Sequence, residues 1–344
     1  MEDHHYVPVL KWKQGEQRAL KDLAPEVKKQ ITPLIEIIQP PQQRGKPPKP
    51  LEEHLTDAAT QIATCWPEAR AFVDARLVRH PGALTRVLEE AVLRDAHVVP
   101  VVSTTGNAQE WSEAAEASAR YGYGLCLRES AAHVVKKSYG AALAKALSDL
   151  GADPGEVDFM IDMREVPEGQ VDALAWMVES AVRQLPEVAA WRSLTLVGTG
   201  FPVNLSNVPA GLRTIPRTEW QLWNCLDDVP RRPIFGDYAI AHPDLPTVAP
   251  QVMRAAASIR YTADDSWVIA RGHDVMTDRY GGFSQYHSLS QGLVEHDDFQ
   301  GASFSWGDAR IVACASGGSP GSLTTWRQVG TNHHITYVVS QLAK

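Results

Sequence analysis

Charged side chains end two apolar segments of this sequence in the same way. Residues 157–164 run from an apolar stretch into Asp162 and Arg164, and residues 70–76 run into Asp74 and Arg76. Short apolar runs of this kind are typical of buried parallel strands. Because side chains alternate along a strand, each aspartate shares a strand face with the arginine two residues later. Buried charges must be paired or bind ions, so we expect carboxylates and guanidinium groups to share one cavity.

Other polar residues stand near the ends of similar segments and complete a first candidate set. Its carboxylates are Glu36, Asp74, Asp162 and Asp237, and its other members are Lys11, Lys13, Arg76, Ser103, Arg128 and Arg164. Carboxylate oxygens suit hard cations, so the four acidic residues are candidate catalytic residues and candidate ligands for Mg²⁺ or Mn²⁺. The lysines and arginines are candidates for binding a phosphate or carboxylate, which arginine takes bidentately.

Two functions and one purely structural arrangement fit this first set. With a metal ion, the residues favour phosphoester hydrolysis, as in a phosphodiesterase or nuclease. Without a metal, the arginines could capture an anionic ligand, as in a non-catalytic binding or sensor module. Charge pairs that only close the end of a barrel are the third interpretation. No metal-binding spacing in the sequence decides among them.

A second candidate set lies late in the chain, in residues 305–308 and 324–335. Its members are Trp306, Asp308, Trp326, Arg327, Asn332 and His333. His333, or the adjacent His334, could act as a general acid or base near neutral pH. The tryptophans could stack on a base or ring. Thr331 or Asn332 could cap a helix, with Trp326 and Arg327 in the preceding turn. In the alternative interpretation the histidines cap or pack a terminal helix and the tryptophans belong to the core.

The elements that must position these residues alternate between apolar strands and helical segments. The predicted strands are residues 6–13, 31–37, 70–76, 97–103, 123–128, 157–164, 194–200 and 233–240. Eight strands, seven of them followed by a helical pattern, predict a (β/α)8 barrel of the TIM type, and an open doubly wound sheet is the alternative. The active site of such a barrel is built at the C-terminal ends of its strands.

The eighth helix of the barrel is missing after residue 240 and is predicted at residues 326–342. An insertion of different character precedes it. The insertion contains a predicted hairpin of residues 257–262 and 266–271, a helix of residues 286–294 and a strand of residues 309–315. We therefore predict a barrel of residues 1–245 plus 324–344. The α+β insertion of residues 246–323, placed after strand eight, would cap its C-terminal face. A proline-rich basic stretch, residues 39–50, is predicted to be a loop, either a lid or a solvated connection.

Composition narrows the class of protein. The chain has 344 residues, 44% of them hydrophobic, and a formal charge of −8, which does not suit a nonspecific DNA binder. Its four cysteines have no paired spacing and are expected to be buried thiols of a reducing compartment. The sequence lacks a signal peptide and any run near the roughly 20 apolar residues that span a bilayer. We expect a cytoplasmic protein without a membrane partner. Dinucleotide, P-loop and HExxH motifs are absent from the sequence, and the glycine- and serine-rich residues 317–322 are predicted to be a flexible loop and not a GxSxG nucleophile elbow.

Six motifs resemble the "beta protein" family, which is related to phages and occurs in bacterial genomes. They are residues 6–16, 31–36, 216–220, 235–238, 305–308 and 325–334. The resemblance implies a setting in phage–host conflict or on a mobile element, and it assigns no catalytic residue. The leading hypothesis is a metal-assisted phosphoester hydrolase or nuclease-like barrel in that setting. The alternative is a sensor module for an anionic small molecule, a nucleic acid or a phage protein, with a protein partner encoded nearby.

Overall fold

The computed structural model describes residues 5–40, 47, 49–67, 69–245 and 255–344. The chain divides into two compact units, each assembled from separate parts of the sequence. Unit 1 contains Met1–Trp12, Ile31–Thr199 and Thr218–Tyr238, and unit 2 contains Lys13–Gln30, Gly200–Arg217 and Ala239–Lys344. This division differs from the predicted domains, because residues 13–30, 200–217 and 324–344 belong to unit 2. That the insertion covers the C-terminal face of the barrel stays a prediction.

Unit 1 contains the predicted barrel. The strands of the described chain are β1 (Tyr6–Lys11), β2 (Leu34–Glu36), β3 (Arg70–Asp74), β4 (His97–Val102), β5 (Leu125–Ser130), β6 (Val157–Glu165), β7 (Ser193–Thr199), β8 (Gly211–Pro216), β9 (Ile234–Asp237), β10 (Ala256–Thr262) and β11 (Ser266–Asp274). Strands β1 to β7 and β9 close into a barrel in that order, all pairs parallel, with β9 next to β1. The prediction of a (β/α)8 TIM-type barrel is confirmed.

The interior of the barrel is filled by apolar side chains from alternate strand positions. Val9, Leu34, Phe72, Val99 and Met160 belong to one buried cluster. In such a barrel the lumen is a packed core, so polar groups that continue the same strand face gather where the core ends. The inward-facing positions two residues after these apolar side chains therefore define the candidate site.

Helices follow the strands in the expected alternation. Their bounds are α1 (Gln14–Lys21), α2 (Pro25–Lys28), α3 (Leu51–Cys65), α4 (Ala83–Val92), α5 (Ala108–Tyr121), α6 (Ala131–Val134), α7 (Tyr139–Leu150), α8 (Val171–Gln184), α9 (Thr218–Asn224), α10 (Gln285–Val294), α11 (Trp306–Ala315) and α12 (Leu323–Leu342). Local chemistry sets several of these ends. The side chain of Asn107 caps α5 by accepting from the backbone N–H of Glu110, and Gly122 ends that helix with φ of 70°.

Unit 2 combines a small antiparallel sheet with helices α1, α2, α10, α11 and α12. The sheet has the order β10-β11-β8, and β10 and β11 form the predicted hairpin. Helix α12 packs against α1, α11 and β10, which explains why it belongs to unit 2. The core of this unit includes Ile259, Tyr261, Ile311 and Trp326.

Several sequence-based predictions in unit 2 are wrong. Residues 309–315 form part of helix α11 instead of a strand: Ser305 caps this helix, and the three-residue spacing of the buried Ile311 and Cys314 fits a helical face. Residues 331 and 332 lie inside α12, which begins at a capping box of Ser322 and Thr325. Strand β8 was not predicted because its sequence lacks an apolar run.

Two further predictions concern the loop and the membrane. Within the predicted loop at residues 39–50, residues 41–46 and 48 lie outside the described residues. Among the residues that are described, no helix has the length and apolar character needed to cross a bilayer.

Candidate active site

Strand register brings a lysine and two carboxylates side by side at the C-terminal end of the barrel. Lys11 pairs with Glu36 across β1 and β2, and Glu36 pairs with Asp74 across β2 and β3. All three residues are at most 6% exposed. The Lys11 ammonium donates to Glu36 Oε2 at 3.1 Å, so the first pair of charges is neutralised within the row. The charged residues at the ends of these three strands thus form a continuous buried row.

Arg128 connects this row to the opposite side of the barrel. Its Nη1 donates to Glu36 Oε1 and to Asp74 Oδ2, both at 2.9 Å. Its Nε donates to Asp162 Oδ2 at 2.9 Å, and its Nη2 to the Tyr238 hydroxyl at 2.5 Å. One buried guanidinium therefore bonds three carboxylates from three strands.

Hydrogen bonds of Tyr238 and Arg76 complete this network. Tyr238 accepts from Arg128 and donates its own proton to Asp162 Oδ2 at 2.7 Å. Arg76 donates to both oxygens of Asp74, from Nε at 2.9 Å and from Nη2 at 2.6 Å. This bidentate bond holds the Arg76 side chain, which is 32% exposed, above the buried groups. These buried groups form the floor of the site and are Glu36, Asp74, Arg128, Asp162 and Tyr238. The polar groups of the floor therefore largely have hydrogen-bond partners.

The charges in the network shift the pKa values of its members. Burial would raise the pKa of Asp74, but the charges of Arg76 and Arg128 and the hydrogen bonds from Arg76 outweigh it and hold that pKa below its usual range. Burial would lower the pKa of Arg128, but the surrounding negative groups outweigh it and raise it well above its usual value. Burial raises the pKa of Tyr238. Asp74 is thus ionised and Tyr238 neutral at physiological pH.

Strand β6 is irregular where it reaches the site. Its register with β7 shifts between Asp162 and Glu165, and Arg164 has a φ of 58°, in the left-handed region. The Arg164 backbone N–H donates to Asp162 Oδ1 at 2.8 Å, which stabilises this turn of the chain. Such bulges redirect side chains and occur often beside functional sites. Here the irregularity brings the exposed side chain of Arg164 to the rim of a cavity.

The cavity above the network has a volume of about 450 Å³. It is lined by Glu36, Asp74, Arg76, Leu77, Ser103, Thr105, Arg128, Glu129, Ser130, His133, Lys136, Asp162 and Arg164. Its carboxylates are buried, at most 7% exposed, whereas Lys136 and Arg164 are exposed and Arg76 is partly so. The charged groups that a ligand meets first are therefore cationic.

Four ionisable residues of this site were not predicted from the sequence. Glu129, His133 and Lys136 line the cavity, and the hydroxyl of Tyr238 completes the floor. Strand β5 extends to Ser130, two residues beyond its predicted end, so Arg128 lies inside the strand and helix α6 begins at the rim. The four-residue spacing of Glu129 and His133, directly after a strand, is the signal that could have identified the pair.

The structure does not bring Asp237 into this cluster. Its side chain accepts from the Tyr6 hydroxyl at 2.5 Å, whereas the next residue, Tyr238, belongs to the interior cluster together with Ile234. Alternation along β9 explains the difference, because Asp237 and Tyr238 point to opposite faces of the strand. The expectation that the side chain of Asp237 shares the cavity is therefore wrong.

The second candidate set lies in unit 2, where His333 is fully buried. Its Nδ1 lies 2.9 Å from Asp308 Oδ2, its Nε2 lies 2.9 Å from the Thr262 carbonyl oxygen, and its ring stacks on Tyr261 at 3.7 Å. Burial would raise the pKa of Asp308, but its hydrogen bond with His333 and the charge of His333 hold it below its usual value. With both ring nitrogens bonded, His333 has no nitrogen left for a ligand. This arrangement agrees with the packing interpretation.

Most other members of that set also have structural bonds within unit 2. Asn332 accepts from the Gly307 N–H and donates to the Ala19 carbonyl. Trp326 donates to the Pro320 carbonyl and stacks on Tyr286 at 4.4 Å.

Arg327 lies 3.7 Å from Glu16 Oε1. Trp306 packs against the apolar core of unit 2, and Lys13 is an exposed residue at the start of α1. The contacts of Asn332, Trp326, Arg327 and Trp306 therefore give the polar and aromatic side chains of residues 305–334 a structural role that needs no ligand.

The donor set does not suit a divalent cation. Glu36 is bonded by Lys11 and Arg128, Asp74 by Arg76 and Arg128, and Asp162 by Arg128 and Tyr238. A cation would displace these donors and would meet the positive charge of Arg128. Within the described residues, no group of three or more His, Cys, Asp or Glu side chains is arranged to hold a metal ion.

Comparison with known proteins identifies similar structures and a matching protein family. No curated protein matches the sequence significantly. Similar solved structures include an alanine racemase of Clostridium difficile 630 in complex with cycloserine, with 10% identity and a TM-score of 0.36 over 71% of this chain and 51% of the racemase. They also include a triosephosphate isomerase of Bartonella henselae, with 11% identity and a TM-score of 0.35 over 67% of this chain and 90% of the isomerase. The chain thus spans about half the length of the racemase. The model of the Beta protein family matches residues 6–340, nearly the whole chain, and the protein belongs to that family.

Proposed function

We propose that the mouth of the barrel binds a small anionic molecule that carries a phosphate or carboxylate group. The observation that supports this most is the layering of charge in the cavity. Carboxylates lie buried at its floor and are bonded to Arg128 and Lys11, whereas Lys136 and Arg164 stand exposed at its rim. An approaching ligand therefore meets positive charge first.

The buried and exposed cations have different roles in this proposal. Arg128 is surrounded by three carboxylates, so its charge is already compensated and it positions the floor. Arg164 and Lys136 extend towards solvent. The guanidinium of Arg164 can donate to two oxygens of a phosphate or carboxylate, and the ammonium of Lys136 adds a third donor. Arg76, held by Asp74, offers a preorganised guanidinium edge beside them. Preorganisation lowers the entropic cost of binding.

The size of the cavity favours a small molecule over nucleic acid. A volume of about 450 Å³ is in the range of pockets for small ligands, roughly 300–1,000 Å³. The formal charge of −8 of the whole chain opposes binding of a nucleic-acid backbone. The metal-assisted hydrolysis predicted from the sequence is less well supported, because the carboxylates already bond to cationic side chains. A setting in phage–host conflict stays a prediction.

The experiment compares two neighbouring lysines. Calorimetric titration with inorganic phosphate, pyrophosphate and citrate at constant ionic strength should detect binding to the unmodified protein. Lys136→Met, at the rim, should weaken it about 10- to 100-fold, because a bond to a charged group contributes about 1.5–3 kcal/mol. Lys137→Met, the adjacent exposed lysine outside the cavity lining, is the matched control and should leave the affinity unchanged.

Three further titrations make the outcome decisive. Arg164→Met should weaken binding as Lys136→Met does. Titration with MgCl2 or MnCl2 should give no heat of binding at the site, and a single-stranded oligonucleotide should bind no more tightly than pyrophosphate. Equal affinities of the Lys136→Met and Lys137→Met variants, or no binding of any of the three anions, would overturn the proposal. Tight Mn²⁺ binding abolished by Asp162→Ala would restore the metal hypothesis.

A further inference from the structure

A histidine supported by a buried carboxylate lines the same cavity. His133 Nδ1 lies 3.1 Å from Glu129 Oε2. Glu129 is 2% exposed, whereas the side chain of His133 is 20% exposed and reaches the cavity. The pair stands at the end of β5 and in α6, four residues apart.

The surroundings fix the orientation of this pair. Glu129 accepts from the backbone N–H of Thr104, and the Ser103 hydroxyl lies 3.3 Å from its Oε2. The ring of Tyr139 packs edge-on against the imidazole at 5.2 Å and 76°. An ionised carboxylate only accepts hydrogen bonds, so the proton between the partners belongs to His133 Nδ1. In the neutral imidazole Nε2 is then a proton acceptor.

We propose that His133 is the general acid–base of an enzyme that hydrolyses a phosphate ester at this cavity, with Glu129 as its positioning residue. This inference depends on the proposed binding of an anion, and it adds turnover to it. It also names the substrate class, a phosphate ester with an alcohol as leaving group. The arrangement of carboxylate, imidazole and reacting water is a recurrent solution to proton transfer near neutral pH.

The step is balanced without a further reactant. Water gives a proton to His133 Nε2 while its oxygen forms a bond to phosphorus. The bond between phosphorus and the ester oxygen breaks, and its electron pair stays on that oxygen. The imidazolium then returns the proton to the leaving alcohol. One ester and one water thus give one phosphate and one alcohol, and His133 ends neutral.

The cations of the cavity supply the electrostatic part of this step. Negative charge spreads over the phosphoryl oxygens in the transition state, and fixed positive groups stabilise it more than they stabilise the bound ester. Arg76 is held in place by Asp74, and Lys136 and Arg164 line the same cavity. These side chains take the role that metal ions have in many phosphoryl-transfer enzymes.

The test measures hydrolysis and binding on the same protein. The full chain is incubated with 4-nitrophenyl phosphate or bis(4-nitrophenyl) phosphate in buffer containing a chelator, and release of nitrophenolate is followed by absorbance. Hydrolysis above the buffer rate is expected for the unmodified protein. His133→Ala and His133→Gln should lower kcat about 10²- to 10⁴-fold with little change in KM. Lys136→Met should mainly raise KM.

Chemical rescue separates catalysis from a structural role. Added imidazole should restore part of the rate of His133→Ala but not of the double variant His133→Ala with Glu129→Gln, because the carboxylate orients the added ring. His80→Gln, an exposed histidine outside this cavity, should be unchanged. Binding of the esters without hydrolysis, or a normal rate in both His133 variants, overturns the inference and leaves the proposed binding intact. Absence of ester binding overturns this inference, and it refutes the proposed binding as well only if phosphate, pyrophosphate and citrate also fail to bind.

Discussion

Replacing Arg128 with methionine should destabilise the barrel strongly at neutral pH. The substitution removes four buried hydrogen bonds of 2.5–2.9 Å, to Glu36, Asp74, Asp162 and Tyr238. It also removes a 2.8 Å ion-pair contact between Nη2 and Asp162. Breaking a buried ion pair by removing one partner costs about 3–5 kcal/mol, because the charge left behind has lost its compensation. For domains of 150–250 residues this lowers the melting temperature by roughly 6–20 °C.

The loss of stability in Arg128→Met should be larger at pH 7 than at pH 5. In the unmodified protein the pKa of Asp74 is lowered, so its contribution to stability is present above its unfolded pKa of about 3.9 and falls only in more acidic solution. In Arg128→Met the buried carboxylates lack this cation, so burial favours their protonated forms. The folded variant then binds more protons than the unfolded chain, and its stability should rise as the pH falls from 7 to 5.

The assay is the midpoint of thermal unfolding at pH 7 and pH 5, with hydrogen exchange of peptides from β5 and β6 as a local measurement. Arg120→Met is the matched control, because Arg120 forms a 3.2 Å pair with Glu89 that is largely exposed. Such surface pairs contribute about 0–1 kcal/mol, so the control should change little at either pH. A loss in Arg128→Met no larger than in Arg120→Met, or one that grows on acidification, would refute this account of the floor.

Three further predictions concern other buried polar groups. Tyr238→Phe should cost about 1–3 kcal/mol in the free energy of unfolding, since it removes a 2.7 Å bond to Asp162 and an acceptor for Arg128; a change below 0.5 kcal/mol in urea unfolding would contradict this. Asp308→Ala should cost about 3–5 kcal/mol because it leaves His333 buried without its carboxylate. Since the pKa of Asp308 is lowered, this difference from the unmodified protein should shrink below about pH 4 in acid titrations. Burial raises the pKa of Glu16 against the charge of Arg327, so stability should fall as pH rises above about 4.3, and Glu16→Gln should flatten that slope.

Strand alternation was sufficient to predict much of the site. Each of the three carboxylates, Glu36, Asp74 and Asp162, follows an interior residue of its own strand by two positions and so faces the same side. These interior residues are Leu34, Phe72 and Met160. Because parallel strands end together, these carboxylates and Arg128 meet although they are far apart in sequence. Closure of the sheet was predicted from the number of strands, since eight strands alternating with helices are typical of a closed barrel.

The errors arise where a position depends on tertiary contacts. The shift of β5 by two residues hid the rim positions of Glu129 and His133, since strand ends are set by pairing with β6 and not by propensity alone. Asp237 and Tyr238 are consecutive residues and face opposite sides of β9. Because β9 has only four residues, the sequence did not show which of the two faces the barrel interior. His333 and Asn332 are residue types that occur in catalytic clusters. Their side chains instead bond to partners within unit 2, at both ring nitrogens of His333 and at the amide oxygen and nitrogen of Asn332, which no local pattern reveals.

The most direct test of the central claim is the position of a bound anion. Crystals of the protein soaked with tungstate, a heavy analogue of phosphate, would locate it by anomalous scattering. We expect a peak inside the cavity, within bonding distance of Arg164 or Lys136 and above the buried Arg128. A tungstate peak at other surfaces only, with none in this cavity, would contradict it.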